Sequence, residues 1–334
     1  MQVIYLAGFP RSGTTWVANL INTHDQVIYR HELLGRCNSA LFGNTLFNAL
    51  KTQHGLTNSE YHQLSKLIKR ADITTDRPPF FQKRFGWYFH PKLHHLAWLA
   101  NQAIPSLAPL YRRIYTLNDN SQAHYLMKET RSLKDAESVL QGLRVENLVF
   151  LIRRPEAVIA SYLSGIEKGM MPNPNQSHKA RWLRENQNSE QISELLSTIS
   201  RADDLPNIEF LSLNWVVYHE IVLRLIKKYS GVAIILLYED LLADTVGYCR
   251  ELFKRLGLSP CLMVDEFVKP SHSSAFDKKR LLSRDAKNSY FSVYRDATFQ
   301  ANQWQEKLQE SEAERIEHLT ATMYQKLCLK AMRL

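Results

Sequence analysis

The chain has few cysteines and no long apolar run. Its 4 cysteines are scattered over 334 residues, so no pair has metal-ligand spacing and no disulfide framework is indicated. No segment reaches the roughly 20 apolar residues of a membrane-spanning helix. The first residues also lack the basic and apolar regions of a secretory signal. These absences predict a cytoplasmic protein with reduced thiols.

Acidic residues are outnumbered by basic ones. The chain has 42 Lys and Arg against 33 Asp and Glu, a formal net charge of +9, which suggests an anionic partner. The basic residues form no stripe with interleaved aromatic residues, and no nucleic-acid motif is present, so nucleic acid is not predicted as a partner. Apolar residues make up 45% of the chain, enough for a sizeable core.

Apolar segments alternate with segments of helical period along the chain. Buried strands are expected at 2–7, 123–127, 147–152 and 232–238. Helices are expected at 14–24, 155–168, 212–229, 239–256 and 304–330. This alternation predicts an α/β fold, a three-layer sandwich around a central parallel sheet. No repeat or long linker divides the chain, so we predict one domain over residues 1–334.

Two segments are expected to lie outside the sandwich. Residues 40–120 contain polar, helix-like stretches and are predicted to form a helical insertion over the sheet, on the acceptor side. Within them, the aromatic and basic stretch 80–89 either stacks a ring or sugar face or belongs to the core. The histidines at 90, 94 and 95 either face a metal or occupy a partly exposed helix face. Residues 170–205 are predicted to form a second flap.

The stretch GFPRSGTTW, residues 8–16, follows the first predicted strand. Gly8 and Gly13 have the interval of a phosphate-binding P-loop, and Thr15 occupies its Ser/Thr position. Thr14, however, replaces the lysine that contacts a nucleoside triphosphate. Backbone N–H groups at a helix N-terminus still attract a small anion, and Arg11 adds a forked cation. A plain glycine turn, or a P-loop kinase or NTPase, remains the alternative at this point.

This loop resembles the 5′-phosphosulfate loop of the sulfotransferase family, whose donor is 3′-phosphoadenosine 5′-phosphosulfate (PAPS). RSGTTW fits the family pattern at every position. The resemblance implies that Trp16 lies near the adenine. It also implies a set of residues that hold the 5′-phosphate and the sulfonate: Arg11, Ser12, Gly13, Thr14 and Thr15.

A second motif, LVFLIRRPEAVIASYLSG at 148–165, also resembles the family. The family places an Arg at the end of this strand and a Ser eight residues later, both on the 3′-phosphate of the donor. Arg153 and Ser161 have that spacing, with Arg154 as the neighbouring alternative. A third stretch, YEDL at 238–241, is similar to the family as well. Tyr238 either borders the nucleotide or is a buried residue at a strand end.

The resemblance leaves two candidates for the catalytic base. Aryl and steroid sulfotransferases carry Lys-Thr-His, but the matching stretch MKETR keeps only the lysine, Lys128, and has Thr130 at the histidine position. Carbohydrate and protein-tyrosine sulfotransferases use a Glu after the first helix and second strand, and VIYRHELLGR places Glu32 there. The resemblance thus implies Glu32 as base, with His31 as the alternative. Lys128 would stabilise charge on the bridging oxygen.

The resemblance implies a PAPS-dependent sulfotransferase that needs no metal. It is expected to transfer the sulfonate to a hydroxyl, or to an amine, of a small-molecule natural product and to release 3′-phosphoadenosine 5′-phosphate (PAP). A glycan or glycolipid acceptor is the alternative. The basic residues Lys278, Lys279 and Arg280 are candidates to close over the 3′-phosphate. The oligomeric state is not readable from the sequence.

Overall fold

The computed structural model describes most of the chain. The described residues are 2–36, 56–117, 122–130, 133, 136–143, 145–187, 189–196, 205–261, 263–271 and 302–334. The basic candidates at 278–280 lie outside them. No helix in these ranges is both long enough and apolar enough to cross a membrane.

A five-stranded parallel sheet forms the centre of the fold, in the order β2-β3-β1-β4-β5. Its strands are β1 (Gln2–Gly8), β2 (Val27–His31), β3 (His124–Glu129), β4 (Asn147–Ile152) and β5 (Ala233–Leu237). Lys128 on β3 is paired with Leu6 on β1 and with His31 on β2. Because all strands are parallel, their carboxyl ends meet at one edge of the sheet.

Helices connect and cover the strands. In the first half these are α1 (Thr14–Asn22), α2 (Leu33–Arg36), α3 (Asn58–Lys69), α4 (Pro91–Ala103), α5 (Ala108–Tyr115) and α6 (Ala136–Leu143). In the second half they are α7 (Pro155–Glu167), α8 (Gln176–Asn186), α9 (Glu190–Leu196), α10 (Asn207–Lys228), α11 (Tyr238–Ala243), α12 (Thr245–Arg255), α13 (Met263–Ser271), α14 (Trp304–Lys307) and α15 (Glu310–Cys328).

The strands alternate their side chains between two apolar cores. Val3, Tyr5 and Ala7 of β1 face a core with α3, α6, α10 and α15. Ile4 and Leu6 face a second core that contains side chains of α1, α12 and α13. Strands buried on both faces are typical of a parallel sheet covered by helices on each side. The predicted α/β fold, a three-layer sandwich, is therefore confirmed.

Several predicted helix boundaries were wrong. The predicted helix 239–256 is two helices, α11 and α12, because the Asp244 side chain accepts a hydrogen bond from the Gly247 N–H and starts a new helix. The predicted helix 304–330 likewise divides into α14 and α15, with a capping box at Gln309. Helix α10 begins at Asn207, five residues before its predicted start, directly after Pro206.

The described part of the predicted insertion, residues 56–117, contains α3, α4, α5 and two 3₁₀ turns, Gly86–Phe89 and Pro105–Leu107. It is joined to β2 by a buried ion pair between Arg30 and Asp76, 2.5 Å apart. His94 is 3% exposed and contacts the Tyr111 hydroxyl, so it does not lie on an exposed face. The described residues of the predicted flap at 170–205 form α8 and α9. The division into these parts stays a prediction.

Candidate active site

The carboxyl edge of the sheet brings the predicted site residues together. Along the edge, His31 is the last residue of β2 and Glu32 follows it, Lys128 is the next-to-last residue of β3, and the glycine loop follows β1. Arg153 follows β4 and Tyr238 follows β5. The strand order therefore places the predicted base at one end of the site and the predicted nucleotide contacts at the other.

The glycine loop ends in the first turn of α1. Gly13 precedes the helix with φ 95°, a left-handed conformation that favours glycine. The first N–H groups of a helix have no acceptor within the helix, so those of Thr14 and Thr15 point to an anion site. Thr14 is buried, whereas Thr15 is partly exposed. The predicted local structure, strand then loop then helix, is present.

Both glycines of the loop lie too close to neighbours for a side chain. A Cβ on Gly8 would lie 2.6 Å from the Thr14 methyl carbon and 2.8 Å from the Leu151 carbonyl oxygen. A Cβ on Gly13 would lie 2.6 Å from the Tyr238 ring. Packing therefore requires glycine at both positions, and the backbone conformation also favours it at position 13.

Hydrogen bonds join the predicted 5′-phosphate loop to the predicted 3′-phosphate residues. The Nε of Arg11 donates to the Ser161 Oγ at 3.1 Å. The Nη1 of Arg153 donates to the Arg11 carbonyl oxygen at 3.2 Å. Two motifs that are about 150 residues apart in the chain thus form one cluster of two guanidinium groups and a hydroxyl, a group matched to phosphate oxygens.

The neighbouring arginine, Arg154, faces elsewhere. Its guanidinium carbon lies 5.5 Å from the centre of the Trp304 ring, and its backbone N–H donates to Glu239. The guanidinium carbon of Arg153, in contrast, lies 4.6 Å from the centre of the Tyr238 ring. The geometry therefore favours Arg153 over Arg154 as the contact of the 3′-phosphate.

Trp16 and Tyr238 form the apolar base of the loop. Their rings contact edge to face, with centroids 5.7 Å apart, and both are buried. Trp16 is only 6% exposed, so little of its surface is open to a nucleotide. Its predicted contact with adenine stays a prediction, whereas its packing beneath the loop is observed.

The predicted base and the predicted lysine are in direct contact. The Nζ of Lys128 lies 2.6 Å from the Oε1 of Glu32. The backbone N–H of Glu32 also donates to the Lys128 carbonyl oxygen, which extends the pairing of β2 and β3 by one residue. Lys128 is 2% exposed and therefore buried, whereas Glu32 is 17% exposed and remains partly accessible.

The surroundings of Glu32 keep it ionised. Burial alone raises the pKa of Glu32, but the charge of Lys128, then that of His31, and the hydrogen bonds from Lys128 and Thr130 lower it to about 2. A carboxylate with this pKa is charged throughout the physiological range. It can accept a proton efficiently only after part of this positive charge is engaged elsewhere.

Thr130 is a site residue that the sequence did not reveal. Its Oγ1 donates to the Oε1 of Glu32 at 3.0 Å, from the position where the aryl sulfotransferases carry their histidine. His31, the alternative base, is held through its Nδ1 by the Tyr29 hydroxyl at 2.7 Å. The one available signal for Thr130 was its place two residues after Lys128.

Arg11 and Glu32 share an unusual backbone conformation. Arg11 has φ 77° and Glu32 has φ 48°, and they are the only non-glycine residues with positive φ in the part of the chain that the structure describes. Such conformations are uncommon outside glycine and cost free energy that the surrounding structure must supply. Two of the predicted catalytic residues thus have a left-handed backbone conformation that non-glycine residues rarely adopt.

The residues at the sheet edge suit an anionic nucleotide. The Ser12 Oγ is buried without a hydrogen-bond partner, in the loop that contains Arg11 and leads into the first turn of α1. An unpartnered buried hydroxyl beside cations is a group that a bound phosphate would satisfy. Among the described residues, no cluster of three or more His, Cys, Asp or Glu side chains could hold a metal. The expectation that no metal takes part stays a prediction.

Among solved structures, the chain is similar to mouse sulfotransferase SULT7A1 complexed with PAP, at 11% identity and a TM-score of 0.46, over 96% of this chain and 83% of that chain. It is also similar to the sulfotransferase domain of the Synechococcus PCC 7002 olefin synthase, at 16% identity and a TM-score of 0.45, over 96% and 94%. No curated protein matched the sequence.

The family comparison is decisive. The model described as the sulfotransferase family matches residues 3–260, which include the glycine loop, the Glu32–Lys128 pair and the Arg153 motif. The match covers more than half of the 334 residues. It supports a sulfotransferase over the kinase or NTPase alternative. The chain therefore belongs to the sulfotransferase family, the enzymes that use PAPS as sulfonate donor.

Proposed function

We propose that this enzyme transfers the sulfonate of PAPS to a hydroxyl of a small-molecule natural product and releases PAP. The observation that carries the proposal is the contact between Lys128 and Glu32 at the sheet edge, one strand away from the glycine loop. The contact brings a carboxylate and an ammonium group side by side, next to the strand that leads into the glycine loop. Those are the groups that sulfonyl transfer between two oxygens requires.

The donor would occupy the half of the site formed by β1, β4 and β5. The N–H groups at the start of α1 and the Arg11 guanidinium would hold its 5′-phosphate and sulfonate. Arg153 and Ser161 would hold its 3′-phosphate, since both lie within hydrogen-bond distance of Arg11. Charge and distance support this assignment, because a bisphosphorylated nucleotide needs two cation groups at neighbouring positions.

The acceptor would approach from the β2 side. There, a carboxylate oxygen of Glu32 takes the proton of the attacking hydroxyl as its oxygen bonds to the sulfur. The bond between the sulfur and the 5′-phosphate oxygen of the donor breaks in the same step. The ammonium group of Lys128 stabilises negative charge on that departing oxygen.

Lys128 then has two partners in turn. With no donor bound, it pairs with Glu32 and lowers the pKa of that carboxyl. An anionic sulfonate within its reach competes for the same ammonium group, which raises the pKa of Glu32 toward the range useful to a base. Proton acceptance would thus be strongest when the donor is in place. Thr130 keeps the Glu32 side chain oriented while Lys128 changes partner.

An acceptor screen with radiolabelled PAPS tests the proposal. Hydroxylated natural products, amines and simple glycans would be incubated separately with the wild-type protein and with Glu32→Gln. Transfer to a small hydroxylated product by the wild type, and its loss in Glu32→Gln, supports the proposal. Transfer to glycans alone would show that the acceptor is a carbohydrate and not a small-molecule natural product. No transfer to any acceptor by a protein that binds PAP would contradict the proposed reaction.

A further inference from the structure

Helix α4 presents its apolar face to solvent. It buries the polar side chains of His94 and Asn101, which are 3% and 1% exposed. Ala97 and Trp98 pack against the core, but Leu93, Leu96 and Leu99 are 48%, 62% and 47% exposed. Three exposed leucines are unusual on a surface helix of a globular protein, whose apolar residues normally face inward.

The apolar surface continues beyond the helix. Nine large hydrophobic side chains are exposed among the described residues, and seven of them lie between positions 87 and 110. Besides the three leucines of α4, they are Trp87, Phe89, Ile104 and Leu110. Helix α4 packs against both 3₁₀ turns and against α5, so these seven residues belong to one packed unit. Concentrations of exposed apolar side chains of this kind mark interaction surfaces. We call these seven residues the apolar face.

The apolar face lies in a segment without any acidic residue. Residues 77–117 contain six Lys or Arg residues and three His residues, but no Asp or Glu. Lys92 and Arg113 are exposed on α4 and α5, and His90 and His95 are exposed beside the leucines. A surface that is apolar at its centre and cationic at its margin is complementary to a layer with an apolar interior and anionic head groups.

We propose that the apolar face binds the surface of an anionic phospholipid bilayer. Leu93, Leu96 and Leu99 would enter the boundary between head groups and acyl chains, with the helix lying in the plane of the membrane. Trp87 and Phe89 would lie at head-group level, where aromatic side chains are favoured. Lys92 and Arg113 would contact anionic head groups. The binding is peripheral and requires no membrane-spanning helix.

Charge favours a bilayer over a protein partner or a second copy of the chain. Arg84 and Arg112 are paired with Asp25 and Asp72, but Lys92 and Arg113 are exposed. Across a symmetric interface these cations of two copies would repel each other, because residues 77–117 contain no carboxylate to pair with them. A protein partner would have to be acidic and apolar on one surface, whereas an anionic bilayer presents both properties over its whole area.

Co-sedimentation with vesicles tests this proposal. One set of vesicles contains phosphatidylcholine alone, and the other contains about one third phosphatidylglycerol. Wild-type protein should bind the anionic vesicles and be released at high salt, because screening weakens the cationic contribution. Binding to the neutral vesicles should be weaker by roughly tenfold or more.

Two matched variants locate the binding surface. Leu96→Glu places a charge in the centre of the apolar face and should reduce vesicle binding by roughly tenfold or more. Leu329→Glu introduces the same charge at a leucine that is 78% exposed but lies outside the apolar face, and it should bind as the wild type does. Both side chains are exposed, so thermal unfolding should confirm that both variants remain folded.

Tryptophan fluorescence provides an independent measurement of vesicle binding. Anionic vesicles should shift the emission of the wild-type protein to shorter wavelength, and Trp87→Phe should remove the shift. Failure to bind anionic vesicles at low salt, or equal loss in Leu96→Glu and Leu329→Glu, overturns the proposal. Sedimentation velocity tests whether a second copy of the chain covers the apolar face instead. A wild-type protein that forms a dimer, loses it in Leu96→Glu and binds no vesicles would show a contact between copies. That result would also overturn the proposal.

Discussion

The Nζ of Lys128 and the Oε1 of Glu32 lie 2.6 Å apart, although 96 residues separate them in the chain. The parallel pairing of β2 and β3 produces this contact, because His31 is paired with Lys128 and Glu32 follows one residue later. The pair is therefore a consequence of strand register. A one-residue shift of β2 would turn the side chains of that strand to the opposite face of the sheet and separate Glu32 from Lys128.

Glu32→Gln tests the proton acceptor. An amide keeps the size of the side chain but takes no proton, so turnover should fall by roughly 100-fold or more. Affinity for PAP should change little, since the proposed donor contacts are on β1, β4 and β5. Isothermal calorimetry and a radiolabelled transfer assay measure the two effects. Glu137→Gln, a change at an exposed residue paired with Lys228, serves as control. Undiminished turnover in Glu32→Gln would remove Glu32 from the mechanism.

Lys128→Met tests the cause of the low pKa of Glu32. Protonated Glu32 cannot accept a proton, so kcat/KM should fall on the acid side of the pKa of this group in the free enzyme. In the wild type that pKa is about 2, and Glu32 should impose no loss near neutral pH. Lys128→Met removes the charge that lowers the pKa of Glu32, while the burial that raises it remains. The acid limb of the pH profile, where kcat/KM falls as pH decreases, should therefore move to higher pH, toward or beyond the ordinary pKa of 4.5.

A pH profile of kcat/KM for the wild type, Lys128→Met and Lys228→Met measures this shift. Lys228 is a half-exposed lysine in a surface ion pair, and its replacement should leave the acid limb in place. An unmoved acid limb in Lys128→Met would mean that a group other than Glu32 carries the titration.

Arg153→Ala and Arg154→Ala distinguish two adjacent arginines. Arg153 contacts the glycine loop, whereas Arg154 lies over Trp304. Losing a charge-assisted hydrogen bond to phosphate should weaken PAP binding by roughly 10- to 100-fold in Arg153→Ala. Adenosine 5′-phosphosulfate, which lacks the 3′-phosphate, should be bound with a smaller change. Equal losses for the two ligands, or a larger loss in Arg154→Ala, would show that Arg153 does not read that group.

Gly13→Ala tests the packing of the glycine loop. The new Cβ would lie 2.6 Å from the Tyr238 ring, so the loop or the ring must shift and PAP binding should be lost. Gly169→Ala is the matched control, because Gly169 also has positive φ, 65°, but has nothing within 4 Å of the added carbon.

Both alanine variants should lose about 1–2 kcal/mol of unfolding free energy from the strained φ. Denaturant unfolding and calorimetry separate that loss from the effect on binding. Retained PAP binding in Gly13→Ala would mean that the loop tolerates a side chain and that its close contact with Tyr238 is not needed.

The sequence predicted most of the sheet and of the glycine loop. Strand β4 lies at the predicted residues 147–152, and β1 differs by a single residue, because continuous apolar runs are a strong signal of buried strands. The short strand β2, which carries Arg30 among apolar residues, had no such signal, and only the family resemblance indicated it. The break between α11 and α12 depends on one cap at Asp244, which a helical period does not reveal.

Contacts between distant residues could not be predicted. Arg30 is buried against Asp76, 46 residues away, an ion pair that no pattern in the sequence indicated. The hydrogen bond from Thr130 to Glu32 joins residues 98 positions apart. Such pairs depend on how the insertion and the strands meet in three dimensions, and propensity and spacing contain no information about that.

The central claim is that the glycine loop binds the bisphosphorylated product of sulfonyl transfer and not a triphosphate. Calorimetric titration of the purified protein with PAP, and in parallel with ATP and Mg²⁺, tests it most directly. The structure predicts binding of PAP and none of ATP, because Thr14 replaces the P-loop lysine and Arg153 and Ser161 supply contacts for a 3′-phosphate. Tight binding of ATP with Mg²⁺, and none of PAP, would contradict it.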